Sequence, residues 1–323
     1  MANAYYKGPV SDHFDGTVFF NPGGVPPRGF GDLLRWQFGG SKALWPDDVG
    51  VTQRKPDARV KGLRVTMIGH ASVLIQADGA NILTDPVWSQ RVSPVRFAGP
   101  KRVTAPGVAF ADLPPIDFVL LSHNHYDHMD IETLRRLHDR DRMPILTPLG
   151  NDTILRGAIP DIDARAGDWG DVLEAGGMSV RLLPCHHWSA RGTRDRSHAL
   201  WCSFTVDTRA GRIFVSGDTG YDQGRPYSAA AKYGPYRLAL IPIGAYAPRW
   251  FMKDQHQNPE EAVAGFQASG AKHALAHHWG TFQLTDEAWQ EPPERLLRAL
   301  SEKDISEDVF RALPPGAVWD VPV

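Results

Sequence analysis

The chain has 323 residues, of which 42% are hydrophobic, and its 35 Lys and Arg residues nearly balance 37 Asp and Glu residues. This length is enough to bury a large core, and a near-neutral chain without a basic block argues against a nucleic acid partner. No run approaches 18 apolar residues, the N-terminus lacks the apolar segment of a secretory signal, and two cysteines give no disulfide framework. The sequence therefore predicts a cytoplasmic protein without a membrane-spanning helix.

Residues 1–60 differ in composition from the rest of the chain. We predict that they form an N-terminal arm packed on or beside the functional site of a domain formed by residues 61–323. Loop-like residues precede a short helical pattern over 32–38, in which Leu34 and Phe38 share one face. An arm packed over the domain is favoured, and a lip that touches a membrane or an acyl chain is the alternative.

Strand patterns dominate from residue 62 onward. Alternating apolar residues over 63–67 and 73–77 predict half-buried antiparallel strands, and a hairpin turn at residue 79 leads from the second of them into residues 80–83. The second half of the chain shows strand patterns over 179–184, 199–207, 212–217 and 237–243, and helical patterns occur at 131–139, 151–157, 222–233 and 259–269. Two sheets with helices on their outer faces predict a four-layer αββα sandwich, an α/β fold of the α+β type.

Residues 122–130, with the sequence SHNHYDHMD, carry metal-binding side chains directly after the apolar strand pattern of residues 117–121. His123 and His125 are two positions apart, so extended backbone puts both imidazoles on one face. Asp127 and His128 are offset by a turn and address a second point nearby. Because one metal ion rarely takes four ligands from so short a loop, the pattern predicts two adjacent ions.

Three later segments each place residues of metal-ligand type after a strand pattern. They contribute Cys185, His186 and His187, then Asp218, and then His277 and His278. Imidazole and carboxylate ligands with a bridging acid favour zinc, iron or manganese over copper. The residues alone leave open which histidine of each doublet binds metal.

The motif HxHxDH at residues 123–128, followed by the later His, Asp and His, resembles the metallo-β-lactamase superfamily of binuclear hydrolases. Longer phrases resemble the N-acyl phosphatidylethanolamine-hydrolysing phospholipases D and their bacterial relatives within that superfamily. These phrases include IGHASVL at 68–74, LTDPV at 83–87, GDTGY at 217–221, IPIGAYAPRWFM at 241–252 and HWGTF at 278–282. The resemblance covers roughly residues 60–295 and implies the same αββα sandwich.

The resemblance also implies a ligand set for two divalent metal ions. One ion would be bound by His123, His125 and His187, the other by Asp127, His128 and His278, and both by Asp218. It favours His187 and His278 within their doublets, because the family ligand directly precedes Trp188 and Trp279-Gly280. The ions, zinc first with manganese or iron as alternatives, would activate a shared water as the nucleophile. Asp127 and Asp218 are therefore also expected to be catalytic residues.

Gln255 and His256 are the residues that the resemblance places beside the substrate. A protonated His256 would bind a phosphate oxygen or protonate the leaving group, and a polar pair flanking a helix is the alternative. Arg249 is a nearby cation that would steer a phosphate, as is Lys253, unless both are ordinary solvated surface. His70 and Asp85 are expected to support the ligands rather than bind metal.

One pair of positions departs from the resembling lipid enzymes. Where those enzymes meet the amide end of the substrate with a Gln and a Tyr, this chain has Arg96 and Phe97, which lack the matching acceptor and hydroxyl. We expect a phospholipase D-type reaction on an N-acyl phosphatidylethanolamine-like lipid, and a same-fold hydrolase of a small phosphodiester or lactone is the alternative. The resemblance further implies a homodimer, and a lipid substrate implies peripheral contact with a membrane.

Overall fold

Two mixed seven-stranded sheets form the centre of the protein, whose structure, a computed structural model, describes residues 2–40, 42–95 and 97–323. In spatial order the first sheet contains β14 (Val318–Asp320), β1 (Leu63–Gly69), β2 (Ser72–Ala77), β3 (Ala80–Thr84), β4 (Phe118–Leu120), β5 (Ile145–Pro148) and β6 (Ala164–Gly167). The second contains β13 (Phe310–Arg311), β12 (His273–His277), β11 (Leu238–Pro242), β10 (Ile213–Val215), β9 (Ser203–Asp207), β8 (Met178–Leu183) and β7 (Val172–Ala175).

Each sheet has an antiparallel half and a parallel half. In the first sheet β14, β1, β2 and β3 pair antiparallel, whereas β3 to β6 pair parallel. In the second, β7 to β10 pair antiparallel and β10 to β13 pair parallel. The two halves of the chain therefore build matching sheets although no sequence repeat relates them.

The core lies between the sheets and continues outside each of them. Val65, Ile75 and Ile82 stand in register across the first sheet and face Val180 and Phe204 of the second. Strand β2 is buried along its whole length and β1 at every residue except Arg64, which corrects the expectation that these two strands are half-buried. Their outer face is covered because residues 108–116 and the first helix after β4 pack on it.

Helices cover the outer face of both sheets. The first sheet carries α2 (Ile131–Asp141) and α3 (Asn151–Ala158), and the second carries α4 (Arg225–Ala231), α6 (Pro259–Ser269) and α7 (Glu291–Ser301). Two further helices, α1 (Phe30–Gly39) and α5 (Arg249–Met252), lie outside these layers. This arrangement confirms the predicted four-layer αββα sandwich.

The start of α6 follows directly from its sequence and fixes the segment before it. Asn258 accepts a hydrogen bond from the Glu261 amide at 2.9 Å, and the Glu261 side chain accepts one from the Asn258 amide at 3.0 Å. Such a reciprocal capping box satisfies backbone donors that the first helical turn leaves free. With Pro259 at the first helical position, the cap holds Gln255 and His256 in the preceding turn.

Two predicted elements differ from the structure in extent. The strand expected over 199–207 begins only at Ser203, because the Leu200 and Cys202 amides bond to carbonyls of the first half, those of Leu149 and Ser122. The helix expected over 222–233 starts as a short 3₁₀ turn over Asp222–Gly224. Gln223 within that turn has a φ of 56°, and Gly224, which precedes α4, has a φ of 81°, so the turn and α4 are not one continuous helix.

The N-terminal arm packs along one side of the domain. Trp36 of α1 donates from its indole nitrogen to Asp286 at 2.8 Å and stacks on Phe251 with the ring centroids 5.1 Å apart. Leu34 and Phe38 of the same helix are 41% and 87% exposed. Further towards the N-terminus, Asn21 donates to the backbone carbonyl of His187 at 2.8 Å. The arm therefore contacts a predicted metal ligand.

A buried imidazole fastens the beginning of the arm. His13 places Nδ1 2.6 Å from Asp12 and Nε2 2.7 Å from Asp168, and its ring stacks on Trp169 at 4.4 Å. Two carboxylates can both accept a hydrogen bond from one imidazole only when both ring nitrogens carry hydrogen. Although burial lowers the pKa of His13, the bonds to Asp168 and Asp12 outweigh it and leave the pKa raised.

We expect His13→Gln to destabilise the protein by about 1.5 kcal/mol at pH 6, because the glutamine amide can donate to only one of the two carboxylates and a hydrogen bond to a charged group contributes about 1.5–3 kcal/mol. Because the folded-state pKa of His13 is raised, its contribution is complete below the unfolded pKa near 6.5 and is lost as the pH rises through the folded value. Urea unfolding of both proteins at pH 6 and pH 9 measures this. A larger difference in the free energy of unfolding between the two proteins at pH 9 than at pH 6 would contradict the expectation.

The helices of the described residues include none with both the length and the apolar character needed to cross a bilayer. The cytoplasmic location, the peripheral membrane contact and the homodimer stay predictions.

Candidate metal centre

The predicted metal ligands follow strands whose carboxyl ends meet at one edge of the sandwich. His123, His125, Asp127 and His128 lie in the loop after β4. The others follow the second sheet: His187 comes after β8, Asp218 after β10, and His278 directly after β12. The structure brings all seven side chains together in overlapping groups whose candidate ligand atoms lie within 4.8 Å of one another.

Three imidazoles form the first group. His125 Nδ1 lies 2.9 Å from His123 Nε2 and 3.2 Å from His187 Nε2. The opposite ring nitrogen of His187 faces the Gln255 carbonyl at 3.0 Å, which can only accept a hydrogen bond. His187 therefore carries its proton on Nδ1 and directs the lone pair of Nε2 into the group.

The second group combines a carboxylate with two imidazoles. Asp127 Oδ2 lies 3.3 Å from His278 Nε2 and 3.5 Å from His128 Nε2. The same oxygen is 2.9 Å from Nε2 of the buried His70. Burial lowers the pKa of His70 to about 3, so His70 is neutral and donates to Asp127. This contact suits a residue that orients a ligand.

Asp218 lies between the two groups. Its Oδ2 atom is 2.9 Å from His278 Nε2, 3.2 Å from His128 Nε2 and 3.9 Å from His187 Nε2. The side chain is 1% exposed. One carboxylate is thus within reach of a cation in either group, as the predicted bridging role requires.

Unsatisfied polar atoms test whether this cluster suits cations. Within the described part of the chain, His128 Nε2, His278 Nε2 and Asp218 Oδ1 are buried and make no hydrogen bond of normal geometry. Buried polar atoms in proteins are nearly always paired, so convergent unpaired ones need a partner from outside the chain. Imidazole nitrogens and carboxylate oxygens at this spacing fit divalent ions such as zinc.

Asp85 holds candidate ligands of both groups. It accepts a hydrogen bond from His128 Nδ1 at 2.8 Å and another from the Ser122 hydroxyl at 2.7 Å. Because that hydroxyl donates to Asp85, its oxygen is free to accept from His123 Nδ1 at 2.9 Å. One carboxylate therefore fixes the ring orientation of His128 directly and that of His123 through Ser122.

Asp85→Asn is expected to weaken metal binding by about 10- to 100-fold, the usual cost of removing a group that orients a ligand. The new amide would face donors at His128 and Ser122 and would turn both away from their present positions. Competition against a chelating dye measures the affinity. Asp57→Asn, an exposed carboxylate paired with Arg64, serves as the control, and an equal effect in both variants would refute the prediction.

Electrostatics divide the imidazoles into two sets. Burial lowers the pKa of His123 and His187 well below the usual value, and that of His125 to about 4. Burial also opposes charge on His128 and His278, but the Asp218 carboxylate outweighs it. The pKa of His128 is raised well above 6.5, and that of His278 is raised to about 9. Protons on these two imidazoles occupy the positions that a cation would take.

Strained backbone accompanies the cluster. His70, Asp85 and His278 have φ values of 56°, 35° and 64°, in the left-handed region that non-glycine residues rarely adopt. Such conformations persist where surrounding structure enforces them, often at functional sites. Gly244 is part of that structure, because a Cβ on it would lie 2.0 Å from the His278 carbonyl oxygen.

The second histidines of the two doublets lie elsewhere. His186 places Nδ1 2.8 Å from Asp222 and Nε2 3.2 Å from the Val25 carbonyl, so its ring joins the 3₁₀ turn before α4 to the arm. His277 is buried, with its ring centroid 6.5 Å from that of His278. Neither belongs to a group of converging ligand atoms in the described residues.

A cavity of about 330 Å³ opens onto the cluster. Its floor includes His125, Asp127 and Asp218, and both Gln255 and His256 line it as expected. Its remaining walls are mostly apolar and are formed by Leu33, Trp36, Val92, Trp188, Ala245, Phe251, Met252 and Leu284. Burial lowers the pKa of His256 to about 4, which differs from the expected protonated form.

Two predicted contacts lie away from the cavity. Phe97 is 83% exposed and does not line it, and its role stays a prediction. Arg96 lies outside the described residues. Arg249 donates to the His256 carbonyl at 2.8 Å and to Glu261 at 2.7 Å, so it holds the turn before α6.

The cations that do line the cavity were missed from the sequence. They are Arg28, from the arm, and Arg196. No local motif surrounds either residue, and only the packing of the arm against the domain brings Arg28 to the cavity.

Comparisons with known proteins agree with the fold. Residues 80–279 match the beta-lactamase superfamily domain. The chain is 36% identical over 270 residues to N-acyl-phosphatidylethanolamine-hydrolyzing phospholipase D 1 of Caenorhabditis elegans, covering 80% of this chain and 76% of that one. It is 40% identical over 248 residues to an uncharacterized protein of Mycobacterium tuberculosis, covering 76% and 66% of the two chains.

Solved structures share the fold at lower identity. The isothiocyanate hydrolase from Delia radicum gut bacteria superposes with a TM-score of 0.62 at 20% identity, over 79% of this chain and 98% of that one. The domain match covers more than half of the chain, and the nematode relative is similar along most of its length. The chain is therefore a metal-dependent hydrolase that belongs to the metallo-β-lactamase superfamily.

Proposed function

We propose that the protein hydrolyses a phosphodiester bond in an N-acyl phosphatidylethanolamine-like lipid, by a phospholipase D-type reaction at a centre of two divalent ions, zinc first. The observation that carries the proposal is the cavity in which the histidine and aspartate cluster meets an apolar wall. The similarity to the nematode phospholipase D supports the same reaction. His123, His125, Asp127, His128, His187, Asp218 and His278 would hold the ions.

The bound ions would supply an activated water and would stabilise negative charge on the phosphoryl oxygens. Side chains of this chain do the remaining work. Asp218 lies within reach of both groups and would keep the ions close together. Gln255 has a buried carbonyl oxygen without a partner in the described residues, and this atom would accept a hydrogen bond from the substrate.

His256 is the proposed group for proton transfer to the leaving alcohol. Its ring lies 5.0 Å from the His187 ring and 5.5 Å from the His278 ring, and its side chain is 15% exposed. Because its pKa is lowered to about 4, it enters the reaction as a neutral imidazole. A neutral imidazole can donate one hydrogen bond to a phosphate oxygen and relay a proton.

The arm and α5 give the cavity an apolar entrance suited to an acyl chain. Leu33 and Trp36 line the cavity, and the neighbouring Leu34 and Phe38 are exposed. Trp250 of α5 is 39% exposed beside Phe251, which stacks on Trp36. These exposed apolar side chains would contact the surface of a bilayer while a lipid enters the cavity.

A hydrolase of a small phosphodiester or lactone is the second candidate. The cavity volume of about 330 Å³ lies near the lower end of the range for small-molecule sites. For a lipid substrate, a cavity of this size would hold the headgroup and part of one acyl chain, and the rest of the lipid would lie outside.

Mass spectrometry of N-acyl phosphatidylethanolamine vesicles incubated with the zinc-loaded protein tests the proposal. We expect phosphatidic acid and free N-acylethanolamine, and no products with Asp218→Asn. An absence of products from protein that still cleaves an aryl phosphodiester would refute the lipid substrate and favour the small one. Release of a diacylglycerol or a free fatty acid would refute the position of cleavage.

A further inference from the structure

The N-terminal arm contributes a positive charge to the catalytic cavity. Arg28, two residues before α1, lines the cavity together with Arg196 of the domain. The carboxylates in the lining, Asp127 and Asp218, belong to the cluster of candidate metal ligands. With cations bound by that cluster, the whole cavity would carry a net positive charge.

The guanidinium of Arg28 is incompletely paired. Its Nη2 atom lies 3.4 Å from Asp254, whereas charge-assisted bonds of this kind are typically about 2.7–2.9 Å long. Its Nε atom is buried and has no hydrogen-bond partner in the described part of the chain. A buried donor without an acceptor costs free energy, so an anionic group in the cavity would find an unused donor here.

Arg196 is held beside Arg28 without a neutralising partner. Its Nη1 atom donates to the Arg28 backbone carbonyl at 2.9 Å, and its guanidinium lies 4.8 Å from the centre of the Trp188 ring. Arg196 is exposed, and within residues 2–40, 42–95 and 97–323 its contacts are with this carbonyl and this ring rather than with a carboxylate. Both side chains line the same cavity, so an anion bound there would be attracted by both positive charges.

We propose that Arg28 and Arg196 together form the receptor for the negative charge of the substrate, so that the substrate class is an anionic phosphodiester rather than a neutral lactone or ester. The inference rests on the proposed function and narrows it. The planar guanidinium presents paired donors that match two phosphate oxygens. Asp254 is then the partner of Arg28 in the free protein, and the phosphodiester replaces it on binding.

Two small probes of nearly equal shape separate charge from size. Dimethyl phosphate is an anion and trimethyl phosphate is its neutral counterpart, and ³¹P NMR titration of the zinc-loaded full chain measures the affinity of each. We expect the anion to bind more tightly, and Arg28→Gln to lower its affinity by about tenfold or more without changing that of the neutral ester. Arg28→Lys keeps the positive charge but loses the planar pair of N–H donors. We expect its affinity for dimethyl phosphate to lie between the affinities of the unaltered protein and of Arg28→Gln.

Two further variants distinguish anion recognition from a structural role of the arm. Asp254→Asn breaks the same ion pair but leaves Arg28 in place, so we expect unchanged or tighter binding of dimethyl phosphate. Arg35→Gln removes an exposed arginine of α1 that lies over Trp250 and not in the cavity, and we expect no effect. Equal losses in Arg28→Gln and Asp254→Asn would overturn the proposal in favour of tethering.

Binding of the two probes is measured without any hydrolysis, so this test does not depend on the proposed reaction. If the protein cleaves no phosphodiester but dimethyl phosphate binding still depends on Arg28, the proposed reaction fails and the anion receptor stands. If N-acyl phosphatidylethanolamine is cleaved and Arg28→Gln binds both probes as the unaltered protein does, the receptor fails and the reaction stands.

Discussion

Asp218→Asn is expected to lower the rate of substrate hydrolysis by at least about a thousandfold, because one change removes a negative charge that lies within reach of both groups of candidate metal ligands. The Asp218 Oδ2 atom lies within 3.9 Å of ring nitrogens in both groups of candidate ligands. Asparagine has the same shape but no negative charge. We therefore expect fewer than two ions to remain bound per chain after dialysis.

Elemental mass spectrometry and steady-state kinetics check this prediction on the same samples. Asp163→Asn, an exposed carboxylate paired with Arg165, provides the control and is expected to keep both metal content and rate. Circular dichroism confirms that each variant is folded. An Asp218→Asn protein that binds two ions and retains its full rate would show that Asp218 does not join the groups.

The sequence predicts the candidate ligands best where several of them lie close together directly after one strand. His123, His125, Asp127 and His128 lie within six residues, so the end of β4 alone sets their relative positions. The distant ligands could be found because each also follows a strand, and parallel strands that point the same way bring their carboxyl ends to one edge. Resemblance to a family was needed to choose His187 rather than His186.

Contacts between distant segments could not be predicted from local patterns. Strand β14 pairs with β1 across the whole chain, aligning Val65 with Trp319, and nothing in either segment specifies that partner. The same limit explains why Arg249 was expected to face the substrate and Arg28 was not. Their positions depend on Glu261 and on the packing of the arm, which periodicity does not encode.

Lowering the pH is expected to remove metal from one half of the centre before the other. Burial opposes charge on His278 and His128, but Asp218 holds the pKa of His278 at about 9 and that of His128 well above 6.5. At neutral pH both imidazoles therefore carry protons that a cation must displace. The metal affinity of this half is expected to rise with pH, by up to about a hundredfold per pH unit for two displaced protons.

The three-histidine half is expected to respond differently. Burial lowers the pKa of His123 and His187 well below the usual value and that of His125 to about 4, so these imidazoles are already neutral above pH 5. A cation displaces no proton from them, and its affinity is expected to stay nearly constant between pH 6 and pH 8. The difference between the halves follows from charge alone, because only the second half contains both Asp127 and the closest contacts of Asp218.

Zinc titration against a competing chelator at pH 6, 7 and 8 measures both affinities, and the protons released in weakly buffered solution give an independent count. We expect about two protons to leave with the weaker, pH-dependent ion and almost none with the other. His278→Gln removes one displaceable proton, so it is expected to reduce the pH slope of the weaker site as well as its affinity. If the affinities of both ions change equally with pH, the prediction is wrong. In that case Asp127 and Asp218 do not keep His128 and His278 protonated, and a cation has no protons to displace there.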